Sequence, residues 1–146
     1  MTSNHDRATM LVRALHAAID RDRQTLQEIL TDDVRAWSPA LSTASLDELL
    51  DELDRRDGAF ADVELHVTAL DVGGDHACVE WTVEMTHSGP IVLAEGMNIE
   101  SSGLRVALHG ITVAEFIGDR ICSLRQYWDE LTVLEQLGAL TRHAEP

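Results

Sequence analysis

The sequence sets a carboxylate, Asp129, directly after Tyr127 and Trp128, at the close of a run rich in β-branched and aromatic residues. A carboxylate walled by aromatic rings loses hydration, which raises its pKa toward the range useful for moving protons at carbon. A local role competes: Asp129 stands just before Glu130 and a helical pattern, where an Asp side chain caps a helix. His109 and Glu115, earlier in the same region, are candidate partners in proton transfer. A His opposite a Trp equally suits a structural role, and a Glu among Val113, Ile117 and Cys122 suits either a pocket or a wet outer face. Trp37, Trp81, Gln126, Tyr127 and Trp128 are the candidates to line a hydrophobic ligand site, although three tryptophans also make an ordinary core.

The element that must position these groups is a hairpin. Runs from His109 to Ile117 and from Arg120 to Trp128 flank Gly118-Asp119, a dipeptide suited to the positive φ of a tight turn. A two-residue turn without irregularity pairs Ile117 with Arg120, Glu115 with Cys122, Val113 with Leu124, Ile111 with Gln126 and His109 with Trp128. Those ten residues then share one face. Each face mixes large apolar groups with polar ones, as a partly polar cavity would require.

Upstream, Ala8, Leu11, Val12, Leu15, Ala18 and Ile19 predict an amphipathic helix over Asn4 to Asp20, and a second short helix spans about Arg23 to Leu30. Val34 to Trp37 reads as a strand stopped by Ser38-Pro39. Ser45 with Glu48 forms a capping box for a third helix, striped by Leu46, Leu49, Leu50 and Leu53 and ended by Asp57-Gly58. The period then changes to two: Val63 to Leu70 and Ala77 to Thr86 read as strands about a Gly73-Gly74 turn. Ile91 to Ala94 and Leu104 to Leu108 add strand, with residues 95–103 as an irregular edge loop. Helices followed by strands give an α+β order in a single domain over residues 1–146.

Composition narrows the function. A chain of 146 residues with 45% hydrophobic content is long enough for one core. The formal charge of −15, from 11 basic and 26 acidic residues, argues against nucleic acid and anionic membranes as partners. Every basic residue is Arg, so a Schiff-base lysine and a P-loop are excluded. No apolar run has the length of a membrane span and the first ten residues lack a signal pattern, giving a cytoplasmic expectation. Cys78 and Cys122 read as reduced thiols in strands. His76 and Cys78 share a strand face without a third ligand, so no metal is expected.

Tyr127-Trp128-Asp129 followed by a short helix closing on Glu135-Gln136-Leu137-Gly138, together with Asp32-Asp33-Val34 ahead of Pro39 and Thr86-His87-Ser88-Gly89, resembles the SnoaL-like polyketide cyclases of the nuclear transport factor two-like superfamily. The resemblance runs from about Met10 to Leu140. It implies three N-terminal helices against a curved antiparallel sheet, forming a cone with an internal pocket. It also implies a cofactor-independent reaction on a small hydrophobic or polyketide-like carbonyl compound, by cyclisation or isomerisation. In that reaction Asp129 acts as general acid and base, while Tyr127, His109 or Gln126 donates to the developing oxyanion. Limonene epoxide hydrolases of the same superfamily carry a Trp-Arg-Asp-Tyr-Phe-Asp run, where this chain reads Leu124-Arg125-Gln126-Tyr127-Trp128-Asp129. Gln126 replaces their acid and cannot exchange a proton, which disfavours epoxide hydrolysis. A binding or dimerisation module without catalysis is the alternative from another class, and fold alone does not choose. The Cys78, Glu80, Thr82, Glu84 face and the second hairpin face cannot both look inward, so a homodimer packed through the sheets is expected.

Overall fold

A computed structural model describes residues 3–55, 58–92 and 98–139. Helices α1 (Asn4–Asp20) and α2 (Arg23–Ile29) come first, followed by strands β1 (Leu30–Ser38) and β2 (Leu41–Thr43) and helix α3 (Leu46–Asp54). Strands β3 (Phe60–Gly73), β4 (His76–His87), β5 (Ile91–Val92), β6 (Asn98–Ile99), β7 (Arg105–Ile117) and β8 (Arg120–Trp128) follow, and α4 (Glu130–Gln136) comes last. The three expected helices exist, but β1 and β2 separate the second from the third, and α4 adds a fourth. The expected stop at Asp57, the end of strand at Ala94 and the loop residues 95–97 lie outside the described residues. Within the expected edge loop, Asn98–Ile99 is strand, paired with Ile91–Val92.

Local chemistry explains the helix starts. Ser3 and Asp6 form a reciprocal capping box on α1. At α3 the Ser45 hydroxyl accepts from Glu48 N–H, while the Glu48 carboxylate reaches back one residue further, to Ala44 N–H at 2.8 Å. The apolar stripe of α3 (Leu46, Leu49, Leu50, Leu53) is buried, as are Leu11, Ala14, Leu15 and Ala17 of α1. These pack with Leu30, Val34, Val79, Ala114, Phe116 and Ile121 in one core on the helix side of the sheet.

The main sheet has the order β2-β1-β8-β7-β4-β3, antiparallel except for the β1–β8 pair. The expected all-antiparallel sheet is thus corrected to a mixed one. Parallel pairing needs a long crossover, which here is nearly the whole chain between β1 and β8. The β3–β4 turn falls on Gly74-Asp75, one residue later than expected, with Gly74 at φ 58. β3 carries an extra residue at each of two bulges, between Ala61 and Glu64 and between Val67 and Ala69. Asp62 takes a positive φ of 52 at the first, where Arg105 donates to its carbonyl at 2.6 Å.

The β7–β8 hairpin turns at Gly118-Asp119 as expected, with Gly118 at φ 61. Its register departs from the simple one. Ile117 faces Arg120 and Phe116 faces Ile121, but Glu115 faces Ser123, leaving Cys122 as a bulge. From there every pair moves by one: Ala114 faces Leu124, Thr112 faces Gln126 and Gly110 faces Trp128. A one-residue slip exchanges faces. The helix side therefore receives Phe116, Ala114, Thr112 and Gly110 with Leu124, Gln126 and Trp128, and the outer side receives Glu115, Val113, Ile111 and His109 with Ser123, Arg125 and Tyr127. The expected face that joined His109 and Glu115 to Gln126 and Trp128 does not exist.

Candidate functional site

On the helix side the sheet presents one polar group of three residues. Thr112 is fully buried, and its Oγ1 accepts from Trp81 Nε1–H at 2.9 Å and from Gln126 Nε2–H at 3.2 Å. β4, β7 and β8 supply one residue each. The Trp81 ring lies over Gly110 and packs on Trp128 with centroids 6.4 Å apart. Gln126 lines an internal cavity of about 40 Å³ walled by α1, α3, β1 and β8, including Leu15, Leu49, Leu53, Ser38 and Leu124. That volume holds a few water molecules at most and is far below the roughly 300–1,000 Å³ of a ligand pocket. Among the described residues, no titratable side chain lines it.

The three expected acid–base residues lie elsewhere. Asp129 is exposed and is the N-cap of α4: its carboxylate accepts from Leu131 N–H at 3.0 Å and from the Thr132 hydroxyl at 3.0 Å. The local capping role is the one the geometry displays, and the enclosed carboxylate expected between aromatics is not present. Replacing Asp129 with alanine is expected to cost about 1 kcal/mol of stability, measurable in urea unfolding, because two donors lose their acceptor. Asp129→Asn, which keeps an acceptor oxygen, is expected to cost less, in place of the gain a desolvated acid would have shown.

His109 and Glu115 stand on the outer face. His109 Nδ1 lies 2.9 Å from the Thr82 hydroxyl. Glu115 sits between His76 Nε2 at 2.9 Å and the Arg125 guanidinium at 3.1 Å. The hydrogen bond from His76, aided by Arg125, holds the Glu115 carboxyl below its ordinary 4.5 against the opposing effect of burial. Asp22 and Asp6 are likewise held below 3.8, chiefly by hydrogen bonds from Thr25 and Ser3 respectively. A folded pKa below the unfolded one gives stability that is present above the unfolded value and lost as pH falls through the folded one. Thermal midpoints followed by circular dichroism are thus expected to hold from neutrality down to about pH 5 and to fall below about pH 4.

The aromatic candidates divide. Trp81 is buried and Trp128 half-buried on the helix side, whereas Trp37 is 44% and Tyr127 46% exposed, their rings 5.2 Å apart. The cysteines are free and half-buried, and burial pushes the Cys78 thiol up. Glu64, His66 and Glu84 bring ligand atoms within 4.8 Å of one another on the outer face. His66 lies 3.3 Å from Glu84 and 3.6 Å from Glu64, and Arg105 pairs with Glu64 at 3.6 Å.

Three motif positions have structural reasons that sequence reasoning did not supply. Gln136 both donates to Ala107 O at 2.7 Å and accepts from Ala107 N–H at 2.8 Å, serving as the strand partner β7 lacks beyond the end of β8. Gly89 lies against backbone: a Cβ there would stand 3.0 Å from the Gly58 carbonyl carbon and 3.3 Å from Ala59 Cα. His87 is fully buried, with Nδ1 2.9 Å from the Ser102 hydroxyl. Among the described residues, no helix is long and apolar enough to cross a membrane.

No curated protein matches the sequence. Similar solved structures include TsrD from Streptomyces laurentii, 24% identical with a TM-score of 0.77, covering 96% of this chain and 100% of that one. A SnoaL-like protein from Jannaschia sp. CCS1 is 17% identical with a TM-score of 0.78, covering 94% and 95%. An epoxide hydrolase of the LEH-like type from M. tuberculosis is 18% identical with a TM-score of 0.68, covering 93% and 92%. At these identities the likeness shows a shared fold. The family model of SnoaL-like polyketide cyclases matches residues 9–137, most of the chain, and the protein therefore belongs to the SnoaL-like polyketide cyclase family.

Proposed function

We propose that this protein is a cofactor-independent enzyme of the cyclase or isomerase type, acting by proton transfer on a small hydrophobic or polyketide-like carbonyl compound bound on the helix side of the sheet. The observation that carries this reading, beside family membership, is the Trp81–Thr112–Gln126 group. Its two N–H donors converge on one oxygen within an apolar interior, the arrangement that polarises a carbonyl when a ligand oxygen replaces one of those contacts. The cavity must enlarge to admit such a ligand, by movement of α1 or α3 away from β8. Asp129, next in the chain to Trp128, is the carboxylate we assign to the proton transfer on the family resemblance, although in the structure it caps α4. His109 and Glu115 have no part in it, since the β7 pleat directs them to the opposite face. Gln126 faces the cavity with no carboxylate among the lining residues, which does not favour the epoxide hydrolase type.

The test is turnover of a panel of hydrophobic β-dicarbonyl and polyketide-like compounds. A substrate found in this way is expected to lose most of its turnover with Asp129→Asn and to show weaker catalysis with Gln126→Leu. Full turnover by Asp129→Asn would remove Asp129 from the mechanism. A specific observation favours a second reading: a cavity without titratable groups suits a non-catalytic small-ligand-binding module. Saturable binding of panel compounds without conversion by the wild type would establish that reading instead.

For assembly we propose a homodimer through the outer face of β4 and β7, where Ile111 and Val113 stand between polar rows, leaving the β1–β8 end of that face open. Light scattering at micromolar concentration is expected to give twice the 16.1 kDa chain mass, and the single-chain mass would refute it.

A further inference from the structure

The outer face carries a recess separate from the internal cavity. It encloses about 490 Å³ over β1, β2, β7 and β8, and its wall includes Arg35, Trp37, Ser42, Ser123 and Arg125. Parallel pairing sets Arg35 opposite Ser123 and Trp37 opposite Arg125, so the stems of both arginines leave the sheet on the same side. Ser42 joins them through its pairing with Trp37.

Charge accounting makes this recess unusual. Two carboxylates also reach its wall, and both are engaged. Glu48 accepts from Ala44 N–H, and Glu115 is shared between His76 and Arg125. Arg35 has no ion-pair or hydrogen-bond partner among the described residues, in a chain whose 26 acids outnumber its 11 bases. An unpaired guanidinium presents a planar fork of donors that matches a carboxylate in bidentate fashion. Beside it, Ser42 offers a hydroxyl donor, while the Ser123 hydroxyl is engaged with Glu115 and accepts from Arg125 at 3.3 Å. Trp37, held against Tyr127, offers an aromatic wall.

We propose that this recess binds a small-molecule carboxylate with a flat conjugated or aromatic body. Arg35 grips the carboxylate, Ser42 adds a hydrogen bond, and the body lies against Trp37. Arg125, already neutralised by Glu115, holds that carboxylate out of the anion's way. The volume accommodates a ligand of two or three fused rings, and a bare inorganic anion would leave the Trp37 wall unused. Trp37, Ala36 and Leu124 also wall the internal cavity, so the two sites lie back to back across β1 and β8.

Isothermal titration calorimetry of the full chain at low ionic strength tests this, with naphthalene carboxylate, its neutral carboxamide and inorganic phosphate as probes. Saturable binding of the carboxylate is expected, about tenfold tighter than the carboxamide, with Arg35→Gln removing that preference. Trp37→Leu is expected to weaken the carboxylate while keeping its advantage over the carboxamide, and Arg120→Gln, at the hairpin turn, to bind as the wild type does. Equal binding of carboxylate and carboxamide, phosphate matching the carboxylate, unchanged binding by a folded Arg35→Gln, or no saturable heat would each overturn the proposal.

Discussion

Replacing Arg7 with alanine is expected to lower stability by about 3 kcal/mol, a fall in thermal midpoint on the order of 10 °C. The Arg7 guanidinium donates to the carbonyl oxygens of Gly74 and of Gly118, the latter at 3.2 Å, which are the tips of the two long hairpins. It also lies 3.7 Å from Asp75 and over the Phe116 ring, 5.3 Å from its centroid. Its side chain is only 14% exposed, so these bonds form in a partly dry setting where charged donors contribute more than at a surface. Nε is buried without a partner among the described residues, which offsets part of the gain. Arg7→Lys is expected to recover less than half, because one ammonium cannot span two carbonyls as a planar fork does. Differential scanning calorimetry of the three proteins decides it; an unchanged midpoint in Arg7→Ala would mean that α1 is held by its apolar face alone.

Gly110→Ala is expected to cost about 3 kcal/mol and to break the polar group behind the proposed carbonyl site. An added Cβ would stand 2.5 Å from Trp81 Cζ2 and 2.8 Å from the Tyr127 carbonyl oxygen. Tyr127 belongs to the β8 ladder and cannot move alone, so the Trp81 ring must turn. That turn removes its donor from Thr112 and its packing on Trp128. The expected signature is a lower denaturation midpoint in guanidinium together with a red shift in tryptophan emission, as the Trp81 indole is turned out of the dry interior toward water. A stable variant with unaltered emission would show that the strand accommodates the methyl group by backbone movement.

The helices were legible because their signals are local. The bounds of α1 and α2 follow from apolar spacing and the start of α3 from Ser45 and Glu48. The Gly118-Asp119 turn was legible for the same reason. What failed was the register beyond it: Cys122 is chemically an ordinary strand residue, and nothing local marks it as the extra one. That one residue moves Gln126 and Trp128 to the helix side and separates them from His109 and Glu115. Asp129 shows the same division, since its cap needs only the next three residues, whereas enclosure by aromatics depends on how β8 meets the rest of the fold. The β1–β8 parallel pair was illegible too, because the two partners lie at opposite ends of the chain.

β3 is an edge strand of 14 residues, with one side open to solvent. A flat edge of that length would template the addition of any passing extended chain. The extra residues at its two bulges interrupt the even spacing of free N–H and C=O groups, and Asp62, Glu64 and Asp71 place negative charge along the same edge. An incoming strand finds neither an unbroken ladder nor a neutral surface. The irregularity of β3 is thus expected to disfavour edge-to-edge addition of a second chain along this long strand.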